Sequence, residues 1–153
     1  MALNDIDAKI LSLLQQNARI SLSELSKGVN LSLSAVSERL KKLENSGIIK
    51  EYTAVLDPEM LNRSLMANIR IITNGGQHEK DFLKLMSESS EILELFRVAG
   101  SCDYTAKAAV KNAEALSDLL FRIKSLKAVQ SAETEVIVKE LKHKHSVPAI
   151  AEK

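Results

Sequence analysis

The 153-residue sequence predicts an α+β chain, an N-terminal winged helix-turn-helix followed by a ferredoxin-like βαββαβ domain. Two observations carry that prediction. Residues 1–47 hold three apolar-periodic stretches separated by polar turns, the last two joined by a tight one, which is the pattern of a helix-turn-helix. Beyond residue 64 the period changes, and alternating, β-branched stretches are interleaved with two helical ones in the order strand, helix, strand, strand, helix, strand. The expected segments are residues 1–56 (winged helix-turn-helix), 57–64 (linker), 65–141 (ferredoxin-like domain) and 142–153 (solvated tail).

Asn4 caps the first helix, and Asp5 and Asp7 favour the positive end of its dipole. Ile6, Ile10, Leu13 and Leu14 form its apolar stripe. Ser21 and Glu24 have capping-box spacing and open a short second helix with Leu22 and Leu25 inward. Gly28 to Leu31 is the turn, with Asn30 as its left-handed residue. Ser32 caps the third helix, in which Leu33, Val36, Leu40 and Leu43 share one face. Gly47 ends it. Residues 48–56, rich in β-branched side chains and Tyr52, read as a strand or pair of strands forming the wing, stopped by Asp57 and Pro58.

In the second half, residues 65–73 read as a strand, Asn74 to Gly76 as a break, 79–89 as a helix and 92–99 as a strand. After a tight connection at Gly100 to Cys102, residues 103–111 form a strand with Tyr104, Ala106, Ala108 and Val110 on one face. Asn112 caps a helix reaching about residue 126, and 129–141 is the last strand. Ile69, Ile71 and Ile72, and Leu93, Leu95, Phe96 and Val98, suggest a sheet apolar on both faces. That would call for a second copy against the side the helices leave open, with Leu95 as its test position.

The third helix carries the chemistry. Its outer face holds Ser34, Ser37, Glu38 and Lys41, short hydrogen-bonding groups early and cations late. In a DNA major groove the first kind reaches base edges and the second reaches phosphates. Ser34, Ser37, Glu38 and Lys41 are therefore the base-facing candidates, and Ser32, Arg39, Lys42 and Lys50 the backbone-facing ones. The same pattern also suits an ordinary solvated face, and Arg39 suits an internal ion pair with Glu24 or Glu44. Net charge is only +1, and residues 1–60 hold seven Lys/Arg against eight Asp/Glu. Duplex binding must then come from local placement of cations rather than bulk charge. With aromatics at 3%, stacking platforms for single strands are not expected.

A single cysteine, Cys102, rules out an intrachain disulfide and a cysteine zinc cage, and it reads as a passive thiol. His143 and His145 alternate in the tail without a cysteine or carboxylate beside them, so no metal or other cofactor is expected. No nucleophile–base pair, phosphate loop or catalytic carboxylate pair stands out, and an enzyme is not expected. The sequence offers no signal peptide or membrane span, which places the protein in the cytoplasm without a membrane partner.

Taken together, these motifs resemble the Lrp/AsnC, or feast/famine, family. Its opening L-D-x-x-D-x-x-I-L-x-x-L stands here as Leu3, Asn4, Asp7, Ile10, Leu11 and Leu14. Its helix-turn-helix core stands as Leu31, Ser32, Ser34, Val36, Arg39, Leu43, Glu44, Gly47 and Ile49. Tyr52 to Pro58 supplies the phrase Y-T-A-V-L-D-P, and Gly100, Asp103 and Tyr104 supply G-x-x-D-Y. The resemblance implies a sequence-specific transcription regulator that binds double-stranded DNA, dimerises through its second domain and assembles further, up to an octamer. It also implies an amino-acid effector near Gly100, Asp103, Tyr104 and Thr134. Ala132 and Cys102 depart from that pattern, where members often carry a threonine and an aromatic residue. A local reading of the same loop makes Gly100 a turn and Asp103 a cap for backbone N–H groups. The alternatives implied by the fold are a nucleoid-organising, DNA-wrapping protein and a haem-precursor decarboxylase.

Overall fold

The computed structural model describes residues 3–144 and 146–151. The chain divides into two compact units, one holding residues up to 55 together with those from 142 on, the other residues 56–141.

The first unit contains helices α1 (Asp5–Gln16), α2 (Leu22–Val29) and α3 (Leu33–Asn45). Each starts where a side chain satisfies the orphan amides of a first turn. Asn4 Oδ1 accepts from the Asp7 amide at 2.8 Å. Ser21 and Glu24 form the expected reciprocal box, and the Ser32 hydroxyl accepts from the Ala35 amide at 3.2 Å. Asn30 ends α2 in the left-handed region, with φ 56° and ψ 48°. The core gathers Ile10, Leu11, Leu25, Val36 and Leu43. Gly28 lies within α2 rather than in the turn. A Cβ there would come within 2.7 Å of Leu13 Cδ1, so its missing side chain lets α2 approach α1 closely.

Two leucines expected inward are not buried: Leu22 and Leu33 are 40% and 54% exposed. Both are the first residue of their helix, where the axis has not yet reached the core. The wing also differs from expectation. Residues 48–56 are irregular backbone, not strand. Among the described residues nothing pairs with them, and β-branched composition alone cannot replace a hydrogen-bonded partner. Ile49 packs on the helical core, and the Tyr52 hydroxyl donates to Glu44 at 3.0 Å.

The C-terminal tail groups with this unit, and its residues 142–144, 146–148 and 150 are exposed. The Gln15 amide donates to the Val147 carbonyl at 2.7 Å and accepts from the Ala149 amide at 3.3 Å. Ala149 packs against the helical core. His145 lies outside the described residues.

The second unit opens on a turn at Pro58, where the Arg63 amide reaches back to the Pro58 carbonyl at 2.8 Å. It continues as β1 (Leu65–Thr73), α4 (Glu79–Glu88), β2 (Ile92–Arg97), β3 (Tyr104–Val110), α5 (Ala113–Lys124) and β4 (Val129–Ile137), the βαββαβ order expected. The four-stranded sheet has the order β2-β3-β1-β4 and is antiparallel throughout. β4 is four residues shorter than expected. Phe82 and Met86 from α4, and Leu116, Leu119 and Ile123 from α5, cover one sheet face. On that face lie Ala67, Ile69 and Ile71 of β1 and Tyr104, Ala106, Ala108 and Val110 of β3.

The second sheet face is mixed: Ile72 of β1 does lie on it, as expected, but among charged side chains. Ile69 and Ile71 are two residues apart and share the covered face, because strand side chains alternate. Leu95 pairs with Ala106 and packs into the covered core, so it is not a position on the open face. The open face also carries Arg70, 2.9 Å from Glu133 and 3.3 Å from Glu135. Phe96 lies on the same face, opposite Thr105, and is 55% exposed.

Candidate nucleic-acid interface and effector loop

The interface candidate is the outward face of α3. Its inward side is set by Val36 and Leu43, both fully buried, which leaves the opposite side facing outward. Ser34, Glu38 and Lys41 are exposed and Ser37 is half-buried. Ser32 sits at the cap, where its hydroxyl also lies 3.1 Å from that of Ser34. Lys42 is exposed and makes an i, i+4 pair with Glu38 at 3.7 Å. Exposed pairs of this kind are worth at most about 1 kcal/mol. A phosphate can therefore recruit Lys42 at little cost. Lys50 is exposed just beyond the helix.

Arg39 stands apart from this set. Its Nη1 donates to Asp7 Oδ1 at 2.8 Å, and Asp7 is buried. The internal pair considered for Arg39 exists, but its partner is Asp7 and not Glu24 or Glu44. The pair ties α1 to α3 across the unit. The two residues are 32 positions apart, so no local sequence pattern joins them. The only local hint was Asp7's place in the first turn of a helix, which the dipole already explains.

Tyr52 closes the far end of α3. Partial burial and its bond to the Glu44 carboxylate push the Tyr52 phenol up to about 12, so it remains a neutral donor at ordinary pH.

The four effector candidates are not brought together within one chain. The Asp103 carboxylate accepts from the Thr73 amide at 2.7 Å and from the Thr73 hydroxyl at 3.1 Å. Those bonds hold its carboxyl below the usual aspartate range. This is the capping role of the local reading, and it fastens the loop after β2 to the end of β1. Gly100 lies in the same loop. Tyr104 points the other way, into the core. Its ring is 5.0 Å from that of Phe82, and its hydroxyl donates to Glu79. That bond and burial raise the Tyr104 phenol above its ordinary value. Arg97 sits over the ring at 5.9 Å. Thr134 shares the covered face, opposite Ile69 in β4, two strands and about 10 Å across the sheet from Tyr104's strand. Its hydroxyl is buried with no hydrogen-bond partner.

Residues 3–50 match the family described as winged helix-turn-helix DNA-binding. Residues 65–147 match the Lrp/AsnC ligand binding domain, more than half of the chain. The chain belongs to the Lrp/AsnC family. It is a transcriptional regulator built on a DNA-binding winged helix-turn-helix. The HTH-type transcriptional regulator FL11 of Pyrococcus furiosus is 35% identical over 146 residues, covering 95% of this chain and 96% of that protein. The leucine-responsive regulatory protein of Klebsiella pneumoniae is 37% identical, covering 92% of this chain and 87% of that one. Among Lrp/AsnC-like structures, a Neisseria meningitidis transcriptional regulator in complex with L-methionine superposes with a TM-score of 0.91 at 37% identity. That likeness covers 95% of this chain and 96% of the other. Among the described residues no helix is long and apolar enough to cross a membrane.

Proposed function

We propose that this Lrp/AsnC protein recognises an operator through the outward face of α3 and changes its DNA binding when an amino acid binds the second unit. The observation that carries the reading is the division of α3 into a buried side, Val36 and Leu43, and an exposed side of hydroxyls and cations. Ser34, Ser37, Glu38 and Lys41 face base edges. Ser32, Lys42 and Lys50 hold the phosphate backbone. Arg39 acts first as the brace to Asp7, its remaining N–H groups being the only part left for a phosphate. The near-neutral charge balance favours a regulator of defined sites over a protein that wraps DNA regardless of sequence.

The effector reading rests on the relative solved with L-methionine. It is supported here by an unpartnered buried hydroxyl on Thr134 and by the anchored loop at Asp103. Because the candidates lie apart in one chain, residues from more than one copy would complete such a site. The oligomer itself is tested at Phe96 on the open sheet face. Light scattering of Phe96→Lys should show a smaller assembly than the native protein, and an unchanged mass would count against that face as the contact.

Selection of bound duplexes from a random pool, with and without mixed amino acids, tests the function as a whole. A near-palindromic site whose affinity changes on adding amino acids is the expected result. Recovery of unselected sequence would contradict operator recognition.

A further inference from the structure

We propose that Leu33 determines specificity by packing on the 5-methyl group of a thymine, a role that rests on α3 being the base-facing helix. Of the apolar residues of α3, Leu33 alone is exposed, at 54%; Val36 and Leu43 are fully buried. It is the first residue of the helix, directly after the cap Ser32. Residues at the start of a recognition helix are those that reach deepest toward base edges.

Its neighbours fit the same base pair. Residues i and i+4 stand one above the other on a helix, which stacks Leu33 with Ser37, and Ser34 follows directly. A T·A pair shows the major groove a methyl group, the thymine O4 acceptor, and the adenine N6 donor and N7 acceptor. An isobutyl group beside two hydroxyls matches that set: the leucine takes the methyl, and a hydroxyl donates to O4 or N7 or accepts from N6. A G·C pair offers no methyl group in the major groove. More than half of the leucine's surface stays open to solvent, whereas Leu40, on the same helix, is half-buried. The surface around Leu33 is continuous with the polar face that meets DNA, so the occupant we assign is the duplex and not a protein.

The test uses the full chain and a duplex obtained by selection from a random pool. Each thymine of the site is replaced in turn by deoxyuridine, which deletes only the methyl group. At one thymine in each half-site the native protein should lose about three- to fivefold in affinity, the worth of one methyl removed from water. Leu33→Ala should bind thymine and uracil there equally, and Leu33→Met should restore the preference. Because Leu33 is exposed, unchanged helical circular dichroism is expected for both variants. Indifference of the native protein to uracil at every position overturns the assignment while leaving duplex binding intact. So does a uracil penalty that survives in Leu33→Ala. A smaller assembly in Leu33→Ala would place a second copy of the chain on this leucine instead. If no duplex binds even at low salt, the base-facing reading of α3 and this assignment both fail.

Discussion

Replacing Asp7 with alanine removes the brace between α1 and α3 and leaves Arg39 facing a partly buried position with no counter-charge. The size of the effect follows from the geometry. The bond is charge-assisted and 2.8 Å long, with the Asp7 side chain 9% and the Arg39 side chain 33% exposed. Bonds to charged groups are worth about 1.5–3 kcal/mol. Breaking a fully buried pair costs about 3–5 kcal/mol, and exposed pairs give about 1 kcal/mol or less. With one partner buried and the other a third exposed, solvent screening brings the cost to about 2 kcal/mol. Alanine's higher helix propensity and the lost first-turn dipole contribution are each of order 0.5 kcal/mol and nearly cancel. A cost of about 2 kcal/mol is roughly a thirtyfold shift in a local opening equilibrium. Native-state hydrogen exchange on the full chain reads it directly: amides of α1 and α3 should lose about thirtyfold in protection, while those of β1 and β3 should keep theirs. A loss below threefold would refute the brace. In a double-mutant cycle with Arg39→Met, most of the penalty should disappear, because the stranded charge goes with it.

Further expectations concern titration. Both tyrosines have raised phenol values, Tyr52 to about 12, so ultraviolet titration should place both tyrosinate midpoints above 10. The stability these phenols add is full below pH about 10 and is lost as pH rises through the raised values. A full step near 10 from either tyrosine would contradict the bonds to Glu44 and Glu79. The Asp103 carboxyl is lowered from 3.8, so its support of the loop is full above pH about 4 and is lost as pH falls through the lowered value. The Thr73 amide resonance should follow that titration with a midpoint below 3.8. A midpoint at or above the ordinary value would show that the bond does not form in solution.

What could be read from the sequence was what neighbours in sequence decide. The Ser21–Glu24 box, the left-handed Asn30 and the caps at Asn4, Ser32 and Asn112 are local bonds within three residues or single-residue preferences. The alternation of Tyr104, Ala106, Ala108 and Val110 was equally local. Tertiary context decided the rest. Leu22 and Leu33 fit an apolar period, yet each begins its helix outside the core. Leu95 suggested an open apolar face until its pairing with Ala106 turned it inward. Residues 48–56 have strand composition but, among the described residues, no strand partner. Of the site, the outward set on α3 was legible because helical spacing fixes a face. The engagement of Arg39 by Asp7 and of Tyr104 by Glu79 was not, since these bonds join residues 32 and 25 positions apart.

The most direct measurement is the affinity of Ser34→Ala and Lys50→Ala for a selected duplex and for single-base variants of it, at two stated salt concentrations. Ser34→Ala should relax the preference at one base pair in each half-site. Lys50→Ala should weaken all sequences alike and lower the salt slope by about 1. If both variants bind every duplex as the native protein does, α3 is not the surface that meets DNA.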